Sequence, residues 1–265
     1  MIVKRINQMR HKFISLALCV VMLLAIKIAS AQMEQSIERR KDTPTAEEIL
    51  HQSDLSRNGW ESYTVITSIK NYVDEELKDE GSFEVSMKGA DKTLVKFLNA
   101  DVKGQYLLML DDAMWIYMPN TRKPIRITPL QRLMGNASNG DVARTRYADD
   151  YAATLKREQV IDGVSCYMLE LMAKREGATY QRIEYWVAKE NLWPKKAEIY
   201  LTSGKHYKTI IYDKYRLISD RVLLSQMTIL DALREGRTTI MTFTGYTQRD
   251  IPAKYFNKDY LEKLR

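Results

Sequence analysis

The sequence is poor in the residues that most often announce chemistry. Its 265 residues include two cysteines, Cys19 and Cys166, and three scattered histidines, His11, His51 and His206. That supply makes neither a metal-ligand cluster nor a disulfide scaffold. There is no Gly-x-Ser-x-Gly elbow, no His-Glu-x-x-His, no glycine-rich phosphate loop and no Cys-x-x-Cys. Two features could in principle serve acid–base work. His206 stands between Lys205 and Tyr207 without a neighbouring nucleophile, and the adjacent carboxylates Asp149 and Asp150 read as salt-bridge partners of Arg144 and Arg146. A protein that is not an enzyme, without cofactor or metal, is the expectation.

Long apolar runs are missing as well. The longest, Phe13 to Ile26, follows the positive leader Lys4, Arg5, Arg10 and Lys12 and precedes Ala29-Ser30-Ala31. Spanning a bilayer takes about 20 apolar residues, and Lys27 interrupts this run. The three-part pattern is that of a secretory signal peptide over residues 1–31, cleaved between Ala31 and Gln32. Leu18, before Cys19, is too large for a lipid-modified cysteine. Export then leaves Cys166 alone, so no internal disulfide is available, and a chain of this size can bury enough surface without one. Export also removes five bases and no acid, which leaves 36 Lys and Arg against 34 Asp and Glu. So even a balance argues against nucleic acid, whose binders concentrate positive charge.

What is present is alternation. Residues 32–44 are polar and charged and read as a flexible segment. Thr45 and Glu48 fit a capping box opening a helix from Ala46 to about Ser56. From Tyr63 to Phe243 the period is two, in about eleven short strands punctuated by Asp111-Asp112, Asp162-Gly163, Ser203-Gly204, Ser219-Asp220 and Glu235-Gly236. The strands have hairpin spacing, so an antiparallel sheet is expected, and it must curl or be covered to hide its apolar face and edges. A single domain, 45–265, is expected.

One connection breaks the rhythm. Residues 119–153 carry Pro119, Pro124 and Pro129, a basic string from Arg122 to Arg146, and the run Gly135-Asn136-Ala137-Ser138-Asn139-Gly140. Connections this long inside a domain are usually covers or binding loops. Met109, Met114, Met118 and Met134 lie around it, and methionine adapts to irregular apolar partners. Trp115 and Tyr117 alternate with Met114, Ile116 and Met118, and the pattern leaves open which side faces inward.

A family resemblance rests on ordered blocks. Met114-Trp115-Ile116-Tyr117-Met118-Pro119 with Arg122-Lys123-Pro124-Ile125-Arg126-Ile127 is the first. Met134-Gly135, Gly140-Asp141-Val142-Ala143-Arg144 and Tyr147-Ala148-Asp149-Asp150-Tyr151 follow. Asp162-Gly163-Val164-Ser165-Cys166-Tyr167, Tyr185-Trp186-Val187 and Leu192-Trp193-Pro194 complete the set. Together they resemble the outer-membrane lipoprotein-sorting proteins of the LolA/LolB type over roughly Thr45 to Asn257. The resemblance implies a mainly β, unclosed antiparallel half-barrel with an N-terminal helix and a helical or loop lid. It also implies a periplasmic carrier or chaperone for lipid or lipoprotein acyl chains, moving them toward the outer membrane. An inner-membrane exporter and an outer-membrane acceptor are the partners it brings in. The alternative is a non-catalytic adaptor docking an envelope exporter of the RND or MMPL type. Apolar alternation nominates the lipid-contacting residues: Leu107, Met109, Met114, Trp115, Ile116, Tyr117, Met118, Leu133, Met134, Leu169, Leu171, Ile183, Tyr185 and Val187.

Overall fold

Period-two alternation becomes one large sheet in the computed structural model, which describes residues 44–121 and 123–264. The signal segment, its cleavage position Ala31/Gln32 and the segment 32–43 lie outside the described residues. From Ala46 onward the chain forms one compact unit. It opens with helix α1, Ala46–Leu55. The first half of the sheet follows as β1 (Ser62–Val73), β2 (Glu76–Lys88), β3 (Lys92–Phe97), β4 (Tyr106–Leu110), β5 (Ala113–Tyr117) and β6 (Ile125–Ile127). The long connection then holds β7 (Arg132–Met134), β8 (Ala137–Ser138) and short helices α2 (Asn139–Ala143) and α3 (Tyr147–Asp150). The second half is β9 (Tyr151–Ile161), β10 (Val164–Ala173), β11 (Arg182–Ala188), β12 (Pro194–Tyr200), β13 (His206–Ile218), β14 (Arg221–Asp231) and β15 (Arg237–Gln248).

Thirteen strands pair in the order β6-β5-β4-β3-β2-β1-β15-β14-β13-β12-β11-β10-β9, every pair between neighbours antiparallel. All neighbours are consecutive in sequence except β1 and β15, which join in mid-sheet through ten aligned positions from Tyr63 to Val73. The chain therefore runs outward from the centre to one edge, crosses to the other, and returns. Because β6 and β9 do not pair, the sheet is an open, curved half-barrel. The crossing segment is the long connection, so topology itself stretches a strap between the two free edges.

Fifteen strands exceed the expected eleven chiefly because three short ones, β6, β7 and β8, lie inside that connection. β6 extends the sheet; β7 and β8 make a separate hairpin. Proline spacing concealed them, since three-residue strands leave almost no period to detect. At its far end the connection stops at Asp150, and Tyr151 to Ala153 already belong to β9.

The concave face buries one large cluster, with Tyr63, Val65 and Ile69 from β1, Phe83 and Val85 from β2, and Leu169, Ile183, Tyr185 and Ile210 from the other flank. The convex face carries two smaller apolar clusters among the described residues, one of them around Cys166, Met168 and Trp186. In the other, Leu94, Tyr106, Leu108 and Tyr117 face outward from β3, β4 and β5 and are covered by Ile251, Phe256 and Leu261 of the C-terminal segment. This explains why β3 reads as apolar on both faces: Val95 and Phe97 point in, Leu94 points out beneath the tail.

Candidate functional site

The strap passes over the concave face and is held there at three places. At its tip, Gly135 (φ 55°) turns the β7–β8 hairpin against the middle of the sheet; a Cβ there would stand 2.5 Å from both Asn71 Oδ1 and Thr239 Oγ1. Asn136 follows, donating its backbone N–H to Thr239 Oγ1 (2.8 Å) and its side-chain amide to the Arg237 carbonyl (3.2 Å).

The second fastening is a buried ion pair. Asp141, in the first turn of α2, accepts from the backbone N–H of Ser138 (2.8 Å), from the hydroxyl of Tyr180 (2.7 Å) and from Lys208 Nζ. The Lys208 and Asp141 side chains are 2% and 1% exposed. Lys208 Nζ also donates to the Asn136 carbonyl (3.1 Å), so one ammonium holds both the hairpin tip and the helix behind it. Burial pushes the Lys208 pKa down, while the Asp141 carboxylate opposes that shift. A buried pair of this kind persists only when its remaining hydrogen-bonding capacity is satisfied, and here Ser138 and Tyr180 satisfy it.

The third fastening bolts α3 to α1. Asp54 Oδ2 accepts the Ala148 N–H (2.8 Å), and Arg57 lies 3.4 Å from Asp54 Oδ1 with its guanidinium 3.8 Å above the Tyr147 ring. Burial raises the Asp54 pKa to about 6 against the opposing pull of Arg57. Nearby, Arg144 donates Nε to Asp150 (2.8 Å) and another N–H to the Asp111 carbonyl (2.7 Å). The expected partnership of Asp150 with Arg144 is thus present, whereas Arg146 turns to Glu61 (3.4 Å). His206 shares its ring nitrogen with Thr209 and the Lys208 carbonyl. Among the described residues no group of acids, histidines and cysteines is placed to hold a metal ion.

Two clefts flank the strap. The first, about 600 Å³, has Phe83, Phe97, Ile116 and Ile127 on the sheet side and Leu133 and Met134 on the strap. Its depth depends on Gly81, since a Cβ there would meet Met134 Cε at 2.7 Å. The second, about 480 Å³, lies on the other flank between Ile127 at the end of β6 with the following residues Pro129 and Leu130, and the loop residues Ala178, Tyr180 and Leu201.

The nominated residues divide into three groups, with Met118 apart from all of them. Ile116, Leu133 and Met134 line the first cleft. Leu107, Met109, Met114, Leu169, Leu171, Ile183, Tyr185 and Val187 point to the concave side but are packed out of solvent beneath the strap and α1. Trp115 and Tyr117 lie on the convex side with the C-terminal segment. Met118, just beyond β5, offers its carbonyl to the Thr121 N–H at the start of the strap. Sequence reading missed Lys208, Asp141, Asp54 and Arg57. One signal was available for Lys208: a cation in phase with Ile210 and Tyr212 on an inward face.

The comparisons with known proteins fit this architecture. No curated protein matches the chain. A family model described as "Uncharacterized protein" matches residues 89–263. Among solved structures, a LolA superfamily protein from Nitrosomonas europaea is 33% identical, with a TM-score of 0.78, covering 82% of this chain and 100% of its own. Two more distant structures show the shared fold. A DUF1329 family protein from Desulfovibrio piger has TM-score 0.71, 23% identity and 82% and 97% coverage. A candidate outer membrane lipoprotein-sorting domain from Vibrio parahaemolyticus has TM-score 0.68, 19% identity and 82% and 98% coverage. With an open thirteen-stranded half-barrel, a strap across its mouth and that degree of identity, the chain belongs to the LolA superfamily.

Proposed function

We propose that this protein is a periplasmic carrier that shelters the acyl chains of lipids or lipoproteins from water on their way toward the outer membrane. Residues 1–31 serve as its export signal, and the carrier proper starts at Gln32. The observation that carries the reading is the first cleft, where Phe83, Phe97, Ile116 and Ile127 of the sheet face Leu133 and Met134 of a strap fastened through polar contacts, with polar residues such as Asn99, Gln105 and Arg132 completing the lining.

Magnitudes support a strap that yields to cargo. Burial is worth about 0.8 kcal/mol per methylene, so a chain of roughly sixteen carbons gains on the order of 10 kcal/mol when fully enclosed. Removing one partner of a buried ion pair costs about 3–5 kcal/mol, an upper bound for a strap that lifts both charges into water. A ligand that binds the raised-strap state can therefore offset the loss of the Lys208–Asp141 contact, and one with equal affinity for both states would move nothing. Raising the strap would also open the apolar surface now packed above Leu169, Tyr185 and Val187.

Native mass spectrometry of the protein recovered from a Gram-negative cell envelope tests the reading. Co-purified acyl lipid is expected, and Leu133→Glu should abolish it while the sheet stays folded, because Leu133 is only partly buried. Leu169 is a poorer probe, since it is fully buried and an unpaired charge there would unfold the sheet. A clean, lipid-free mass for the wild-type protein would overturn the carrier reading in favour of an adaptor for an envelope exporter.

A further inference from the structure

The outer face of the sheet carries a patch that the carrier reading does not use. After β15 the chain runs back over β3, β4 and β5 and presses Ile251, Phe256 and Leu261 onto Leu94, Leu108 and Tyr117. It is fastened at both ends. Lys88 Nζ donates to Asp250 (2.7 Å) and to the Ile251 carbonyl (2.9 Å), and the Tyr106 hydroxyl donates to the Leu264 carbonyl. With the apolar side chains turned inward, the bases and phenol rings between them stand on the outside. Lys254 Nζ lies 5.6 Å from the centre of the Tyr255 ring and 5.7 Å from that of Tyr260, and Lys263 Nζ lies 5.9 Å from Tyr260. Beside them is a shallow cleft of about 540 Å³, with Trp115, Tyr117, Lys123 and Pro124 on one side and Lys258, Asp259 and Glu262 on the other. Arg126 stands 5.8 Å over the Trp115 ring.

Lys123, Arg126, Lys254, Lys258 and Lys263 are exposed, whereas Trp115, Tyr255 and Tyr260 are half-buried. Against these five bases the patch sets two acids, Asp259 and Glu262, and Asp259 accepts from Lys258 Nζ at 2.7 Å. The net of +3 exceeds the surplus of residues 32–265 as a whole, which carry 36 bases and 34 acids. Positive charge is therefore collected on this face. Tryptophan and tyrosine, each apolar with a polar tip, settle at the boundary between water and lipid head groups, and lysines and arginines beside them attract anionic lipid. We infer that this outer face docks the protein on an anionic phospholipid surface, the bases meeting head-group phosphates and the rings entering between them. The charges ride on long exposed side chains around a shallow hollow. That suits a fluid array of phosphates, whereas a folded acidic partner would call for preset pairs in a shaped pocket. Docking by the outer face leaves the strap and its clefts unobstructed, and it requires no acyl binding.

Co-sedimentation of the full protein, recovered from the cell envelope, with vesicles of phosphatidylcholine with and without phosphatidylglycerol tests the inference. Binding is expected only with phosphatidylglycerol, weakening as added salt shortens the range of the charges. Changing Lys123, Lys254 and Lys258 together to Gln should lower affinity on the order of a hundredfold, roughly fivefold for each base. The same change at Lys156, Lys205 and Lys214, on the other half of the sheet, should lower it far less. All six lysines are exposed, so both variants should melt like the wild type. Tryptophan emission should shift to the blue on vesicle binding, and Trp115→Phe should lose that shift. Equal losses in the two triple variants, or a shift retained in Trp115→Phe, would overturn the assignment to this face. No binding to phosphatidylglycerol vesicles, or binding of polyglutamate in their place, would overturn the membrane as partner. None of these outcomes touches the carrier reading, which rests on co-purified acyl lipid.

Discussion

Lys208 on β13 and Asp141 on α2, 67 residues apart in sequence, meet in an ion pair sealed from solvent beneath the strap. The pair is the point where the cover of the half-barrel is joined to its floor, and most of what can be measured about the protein depends on how firmly it holds.

Replacing Lys208 with Met keeps the aliphatic stem and removes the charge, which leaves Asp141 buried with only neutral donors. A loss of about 3–5 kcal/mol in urea unfolding is expected, together with faster amide exchange across residues 128–141. Adding Asp141→Asn should recover part of the loss, because no lone charge then stays buried. Equal and additive losses would mean that the two groups do not interact.

Asp54 makes stability depend on pH in a direction opposite to that of a salt-bridged carboxylate. Its folded pKa of about 6 lies above the unfolded value of 3.8, so the folded state binds the proton more tightly. The resulting stabilisation is complete below pH 3.8 and disappears as pH rises through about 6. The shift corresponds to about 3 kcal/mol at 1.36 kcal/mol per unit. Asp54→Asn cannot titrate, so the stability difference between wild type and variant should change by that order between pH 4 and pH 7. Parallel curves across that interval would remove Asp54 as the cause.

Gly135 should tolerate no side chain. Its left-handed backbone costs an L-residue about 1–2 kcal/mol, and the added Cβ would press on Asn71 and Thr239. Gly135→Ala is expected to lift the hairpin tip, lowering the unfolding midpoint and exposing Asn136 to rapid exchange. A variant as stable as the parent would show that the tip is not docked.

The convex cluster under the C-terminal segment should matter for stability and not for acyl uptake. Leu261, fully buried against the outer face of β3–β5, is expected to lose about 2–5 kcal/mol on change to Ala, with acyl uptake by the surviving folded fraction unaltered. Reduced uptake per folded molecule would connect the C-terminal segment to the cavity.

Much of the sheet was legible in advance, because alternation of Tyr63, Val65, Thr67 and Ile69 or of Ile183, Tyr185 and Val187 can be read without knowing any partner strand. The turn at Asp111-Asp112 was legible for the same local reason, and Asp111 does take up a positive φ of 52°. The third strand shows where local reading stops. Leu94 and Val95 look equally apolar, and only the C-terminal segment lying outside β3 tells their roles apart. Trp115 and Tyr117 were nominated for a cavity they do not face, since alternation fixes that two sides differ and says nothing of which one curves inward.

The amino-acid order by itself determined a β protein, its strand sequence and the presence of one outsized connection, because these follow from side-chain periodicity and backbone preferences within a few residues. Tertiary structure decided that this connection bridges two unpaired sheet edges, that Lys208 and Asp141 close it, and that clefts lie on both of its flanks. Those outcomes depend on curvature, and curvature places residues of distant strands in contact through packing that no local pattern encodes.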